Sequence, residues 1–139
     1  MKSEATRAAL EDIIDAFQCG DHERLAARFD DDIAWLLNAP VSIFPFAGAR
    51  RGKIEVLTSL ALVYQSYSIS RYDVPVILAD RDRAATIADV HVVQRTTGRV
   101  IRSRLGNFYR FRDGKVIEYC GFTDSFDSAE QVLGYELDV

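Results

Sequence analysis

The sequence predicts an α+β domain in which a strongly bent antiparallel sheet carries helices packed on one face. Three observations point to this. Apolar residues recur at helical spacing near the N-terminus and again around residue 60; from about Tyr67 the period shortens to that of strands; and short polar turns divide this second half into hairpins. The chain has 139 residues, enough for one domain, and residues 1–139 read as a single unit without repeats, low-complexity tracts or a linker.

The first helix carries Leu10, Ile13, Ile14 and Phe17 at i, i+3, i+4 and i+7, and stops at Gly20. Asp21 then caps a short second helix with Leu25 and Phe29 on one face, ended by Asp30-Asp31-Asp32. "IAWLLNAP" reads as a strand broken by Pro40, and Phe44–Gly52 as a loop rich in glycine, alanine and aromatics. Leu57, Leu60, Ala61 and Tyr64 give a third helix. Four strands follow: Tyr72–Leu78, Ala84–Arg95, Val100–Arg112 and Val116–Thr123. The turns between them are Ala79–Arg83, Thr96–Arg99 and Arg112–Lys115, the last two with standard hairpin residues. Helices laid across the open side of a bent sheet enclose a concave pocket, the usual place for a small ligand.

Composition narrows the function. A formal net charge of −4 argues against a nucleic-acid surface. No apolar run approaches the length of a membrane span, and the N-terminus has no apolar signal-like segment. Cys19 and Cys120 lie far apart, and neither they nor His22 and His91 have metal-ligand spacing; the expectation is no metal, no cofactor and a reduced, cytoplasmic protein.

Four stretches, "CGDHERLAARFDDDIAW", "NAPVSIFPFAGARRG", "TTGRVIRSRLGNFYRF" and "RDGKVIEYCGFTD", resemble in order and spacing the nuclear transport factor 2-like superfamily. The likeness is to its branch of SnoaL-like polyketide cyclases, ketosteroid isomerases and limonene-epoxide hydrolases, and it spans nearly the whole chain. The resemblance implies a cone-shaped fold, three helices and a curved sheet enclosing a hydrophobic pocket, and homodimerisation through the sheet face.

Carried over residue by residue, the family's catalytic sets are incomplete. The loop where a ketosteroid isomerase holds its carboxylate base has no Asp or Glu, and Ile13 and Gly106 or Asn107 stand where its two acidic donors belong, so true steroid isomerisation is rejected. For an epoxide hydrolase, Asn38, Asp89 and Asp124 match, while Leu36 and Ile87 replace the tyrosine and arginine. A SnoaL-like cyclase asks for one carboxylate on a late strand, for which Asp89 or Asp124 qualifies. The catalytic candidates are therefore Asp124, Asp89 and Asn38.

Trp35, Phe44, Phe46, Tyr64, His91, Arg104, Cys120 and Phe122 are candidates for the ligand pocket. Ile87, Asp89, His91 and Val93 share a strand face, and so do Arg102, Arg104, Arg110 and Arg112. The arginines read as a solvated outer face, with an inward anion clamp from Arg102 or Arg104 as the rival. Two functional readings stand: a cofactor-independent isomerase, cyclase or hydrolase acting on a hydrophobic organic substrate, or a non-catalytic ligand-binding or accessory protein. A third is an interaction module that uses the sheet face.

Overall fold

A computed structural model describes residues 2–138. Helix α1 (Ser3–Cys19) buries Thr6, Ala9, Leu10, Ile13 and Ala16, one continuous helical stripe. Gly20 ends it at φ 66°, a left-handed conformation that glycine adopts without a Cβ penalty, and its N–H returns to Phe17 and Ala16 carbonyls. Asp21 caps α2 (His22–Ala27) by accepting the Arg24 N–H. Arg24 then bonds Asp12 at 2.6 Å and Asp15 at 2.8 Å, and Arg28 bonds Asp12 at 2.9 Å and the Gly114 carbonyl at 3.1 Å. The two guanidiniums hold the Asp12 carboxyl below the usual range, Arg24 most strongly, and tie both helices to the last hairpin turn.

The sheet has six strands in the order β2-β1-β6-β5-β4-β3. They are β1 (Phe29–Asn38), β2 (Gly48–Arg51), β3 (Tyr67–Asp80), β4 (Arg83–Gln94), β5 (Val100–Arg112) and β6 (Lys115–Thr123), with α3 (Lys53–Ser66) between β2 and β3. The four late strands form the expected meander, with Asp113 and Gly114 of its last turn at φ 52° and 76°. Four features differ from the sequence reading. The Asp30–Asp32 run lies within β1 rather than ending a helix, and β2 emerges from the stretch read as loop. Strand β1 pairs with β6 in parallel, so the sheet is mixed; no hairpin joins this pair, and nothing local constrains its direction. The tail forms a fourth helix, α4 (Ser125–Leu133).

Register shifts bend the sheet. β3 and β4 slip between Ile69 and Arg71 and between Asp73 and Val76, where Pro75 interrupts the edge strand. β5 and β6 slip between Arg110 and Phe111. This last shift turns Val116 to the buried face along with Tyr119, which simple alternation from Glu118 does not foresee.

The main core joins α1, α2, α3 and the inner sheet face around Leu10, Leu25, Phe29, Ile33, Val56 and Phe111. A smaller cluster of Phe44, Ala47 and Ala129, with Leu37, Val132 and Leu137 against it, seats α4 and the following tail on the loop after β1. An apolar cavity lies between these clusters. Among the described residues, no helix is long and apolar enough to cross a membrane.

Candidate functional site

Alternation along the strands decides what enters the cavity. Trp35, Leu37 and Ala39 project inward from β1 and the residue after it, Val90 and Val92 from β4, and Ile101, Ser103, Leu105, Asn107 and Tyr109 from β5. Ile13, Ile14 and Phe17 of α1, Leu60 and Val63 of α3, and Phe44 and Phe46 of the loop close the other sides. The result is a cavity of about 190 Å³, lined almost wholly by carbon. Trp35 stacks on Tyr119 with ring centroids 3.9 Å apart, and Phe46 meets Tyr67 edge-on at 6.0 Å.

One polar chain lies in this wall. The Tyr119 hydroxyl donates to Asn107 Oδ1 at 2.5 Å, and Asn107 Nδ2 donates to Thr86 Oγ1 at 3.2 Å. Asn107 and Thr86 are buried, at 2% and 4% exposure. Asn107 keeps a second amide hydrogen and Tyr119 keeps lone pairs, so the chain can offer both a donor and an acceptor to a ligand oxygen. Burial pushes the Tyr119 and Tyr109 hydroxyls well above the usual phenol range and Tyr72 up to about 12, so all three stay protonated at neutral pH. No Asp, Glu, His, Lys or Arg is among the lining residues.

The residues singled out from sequence divide by strand parity. Trp35, Phe44 and Phe46 line the cavity. Tyr64 does not: its ring packs on Phe17 and its hydroxyl donates to the Phe17 carbonyl at 2.7 Å. Cys120 and Phe122 point to the outer sheet face, because Tyr119, Gly121 and Thr123 take the inner positions of β6. Asp89, His91 and Arg104 also face outward, so the inward arginine clamp does not form; Arg104 is exposed and bonds Asp89 at 2.9 Å.

Asp124 is exposed and acts as the N-cap of α4, accepting the Asp127 N–H at 3.2 Å. A strand ends on a carboxylate here because a helix begins there. Asn38 sits on the outward parity of β1 and donates to the Gly121 carbonyl at 3.0 Å. Asp89 and Asp124 do share a surface pocket of about 380 Å³, with Arg71, His91, Arg102 and Asp127. It lies at the seam between β5 and α4, where the Gln131 amide bonds the Arg102 N–H at 2.7 Å and carbonyl at 2.9 Å. Gln131 stands in for the strand that β6 no longer provides.

The inner polar chain was not among the candidates. Its signal was present: if Arg102, Arg104, Arg110 and Arg112 mark the outer face of β5, then Asn107 must face in.

A profile of the SnoaL-like domain matches residues 10–119. Among solved structures, a candidate isomerase from Rhodopseudomonas palustris superimposes with a TM-score of 0.86 at 32% identity, covering 91% of this chain and 96% of its own. An NTF2-like protein from Burkholderia xenovorans gives 0.83 at 21% identity over 95% and 98% of the two chains. An epoxide hydrolase of M. tuberculosis, similar to limonene-epoxide hydrolases, gives 0.77 at 16% over 95% and 92%. Comparison with curated proteins produced no significant match. With the profile spanning most of the sequence, the chain belongs to the SnoaL-like domain family, and its cone fold is that of the NTF2-like proteins it superimposes on.

Proposed function

We propose that the protein binds a compact hydrophobic organic molecule in the cone, holding one carbonyl or hydroxyl oxygen of that molecule on the Asn107–Tyr119 pair. The observation that carries this is a carbon-lined cavity with a buried neutral donor–acceptor chain in its wall. Family membership supports a ligand-binding or enzymatic role at the level of class. Any acceleration at this site would come from holding the substrate in a reactive shape and from hydrogen bonds to a developing negative oxygen, because the lining supplies no titrating base. Acid/base work by Asp89 and Asp124, with Asn38, would require the reacting group to reach the surface pocket.

Isothermal titration with 1-tetralone separates the sites. Leu105→Trp, which fills the cavity, is expected to abolish binding while the far-UV circular dichroism stays native. Asp124→Asn, which keeps a good helix cap, is expected to leave affinity within about twofold. Loss of binding in Asp124→Asn with retention in Leu105→Trp would move the site to the surface pocket and restore the carboxylate reading.

The sheet's outer face supports a second proposal, a homodimer. Pairing registers align two largely apolar rows across five strands: Leu36, Cys120, Phe108, Ala85 and Leu78 in one, and Phe122, Gly106, Ile87 and Val76, with the polar Asn38 at the β1 end, in the next. Leu78 is 63% exposed and Phe108 54%, and charged rows flank the band, with Glu118, Arg110 and Arg83 on one side and Arg104 and Asp89 on the other. An apolar band inside a charged rim is the anatomy of a protein interface. Light scattering is expected to show a dimer at micromolar concentration, and the double change Phe108→Asp, Phe122→Asp a folded monomer. A wild-type monomer at that concentration would refute the interface.

A further inference from the structure

The cavity has a second polar end. Ser103 of β5, Thr123 at the end of β6 and Ser128 of α4 line it together, and the same three residues line the surface pocket at the β5–α4 seam. The wall between inside and outside at this end is built of hydroxyls. Ser103 and Ser128 satisfy each other, with their Oγ atoms 3.1 Å apart. Thr123 is different: its Oγ1 is shielded from solvent and has no hydrogen-bond partner, and it is the one buried side-chain polar atom left so among the described residues. A native domain seldom buries a hydroxyl without a partner, and each such group calls for an explanation. On the inner sheet face Thr123 pairs with Leu105, one inward-facing row from the Asn107–Gly121 pair. Two residues along a strand separate the rows by about 7 Å.

We propose that Thr123, flanked by Ser103 and Ser128, is a second oxygen-binding station, and that the ligand class is bifunctional: an apolar, cyclic skeleton with oxygen functions at two ends. This rests on the cavity reading above. One oxygen takes the Asn107–Tyr119 pair; the other partners the Thr123 hydroxyl and lies toward the charged seam. The apolar span between the stations is set by Leu105 on the sheet side. Thr123 is a specificity-determining residue rather than a reacting one, since a neutral, unactivated hydroxyl touches the far end of the molecule.

The probes are 1-tetralone and 6-hydroxy-1-tetralone, which share a skeleton and differ by a hydroxyl opposite the ketone. Titration calorimetry on the wild type is expected to favour the hydroxyketone about tenfold, the worth of one net hydrogen bond in a dry site. In Thr123→Val, an isosteric change, that preference is expected to vanish while 1-tetralone affinity stays within about twofold. The ligand-free variant should melt no lower than the wild type, because the hydroxyl it removes has no partner to lose. Ser103→Ala serves as a second variant and is expected to reduce the preference without abolishing it. Equal affinities in the wild type, or a preference that survives Thr123→Val, would overturn the second station and leave the cavity reading standing. Failure of both probes to bind the wild type would overturn the two together.

Discussion

Replacing Asn107 with leucine is expected to lower stability by about 2–3 kcal/mol and to abolish ligand binding. Leucine has similar bulk but can neither accept from the Tyr119 hydroxyl nor donate to Thr86 Oγ1. The Tyr119 hydroxyl is then stranded in a low-polarity wall and Thr86 Oγ1 loses its donor, at about 1–3 kcal/mol for each group left unpaired, partly offset by the added apolar burial. The melting temperature should fall by about 7–10 °C. Urea denaturation checks the magnitude, and a further change checks the cause. Adding Tyr119→Phe and Thr86→Val removes the stranded groups, so the triple variant should recover much of the stability. It should still fail to bind 1-tetralone. A triple variant that stays as unstable as Asn107→Leu would show that the asparagine acts through packing rather than hydrogen bonding.

Gly121→Ala is expected to be about as damaging, by a steric route. A Cβ on Gly121 would collide with the Tyr119 hydroxyl, would stand 2.8 Å from Tyr119 Cζ, and would press on Leu37 Cδ1 at 3.1 Å. The backbone has little freedom to retreat, because Gly121 is paired with Leu37 on one side and Asn107 on the other. The Tyr119 ring has little freedom either, stacked as it is on Trp35. Overpacking of this kind costs about 1–3 kcal/mol, and displacement of the ring also breaks its bond to Asn107. Thermal melts should show the loss, and Gly121→Ala combined with Tyr119→Leu should regain most of it by removing the colliding ring. If Gly121→Ala alone melts like the wild type, the ring is mobile and the Asn107–Tyr119 geometry is not held as described.

Both variants act on one small region of the inner sheet face, and that concentration bears on what kind of ligand the cone can take. A neutral amide and a phenol kept protonated by burial favour an uncharged oxygen or one on which negative charge is developing. Neither carries a charge that would pair with a cation. The charged groups named from sequence, Asp89, Asp124, His91 and Arg104, lie together as well, but on the other side of the hydroxyl wall. Asp89 neutralises Arg104 there, and Asp124 is committed to the first turn of α4.

How far each part was legible follows from the range of the forces involved. Leu10, Ile13 and Phe17 announce α1 because helical spacing is a local property, and Gly20 ends it for an equally local reason. Asp113-Gly114 announces the last hairpin through its own backbone preferences. The ordered set of such pieces also carries the family resemblance, which the fold bears out. The parallel pairing of β1 with β6 was not legible, because it joins segments separated by most of the chain and no turn constrains it. Asp124 was ambiguous for a related reason: a carboxylate at a strand end reads the same whether it enters a pocket or caps a helix, and only the presence of α4 decides.

The sequence by itself determined the α+β class, the first three helices, the meander and the SnoaL-like family, and it singled out Trp35, Phe44 and Phe46 as candidates for the pocket. The tertiary structure alone decided which carboxylates stand outside the cone and which neutral groups stand within it. The register slips between β5 and β6 and along β3 set the phase of each strand, and a shift of one residue exchanges the inner face for the outer. That phase places Tyr119, Asn107 and Thr123 in the cavity and Asp89, Cys120 and Phe122 behind it.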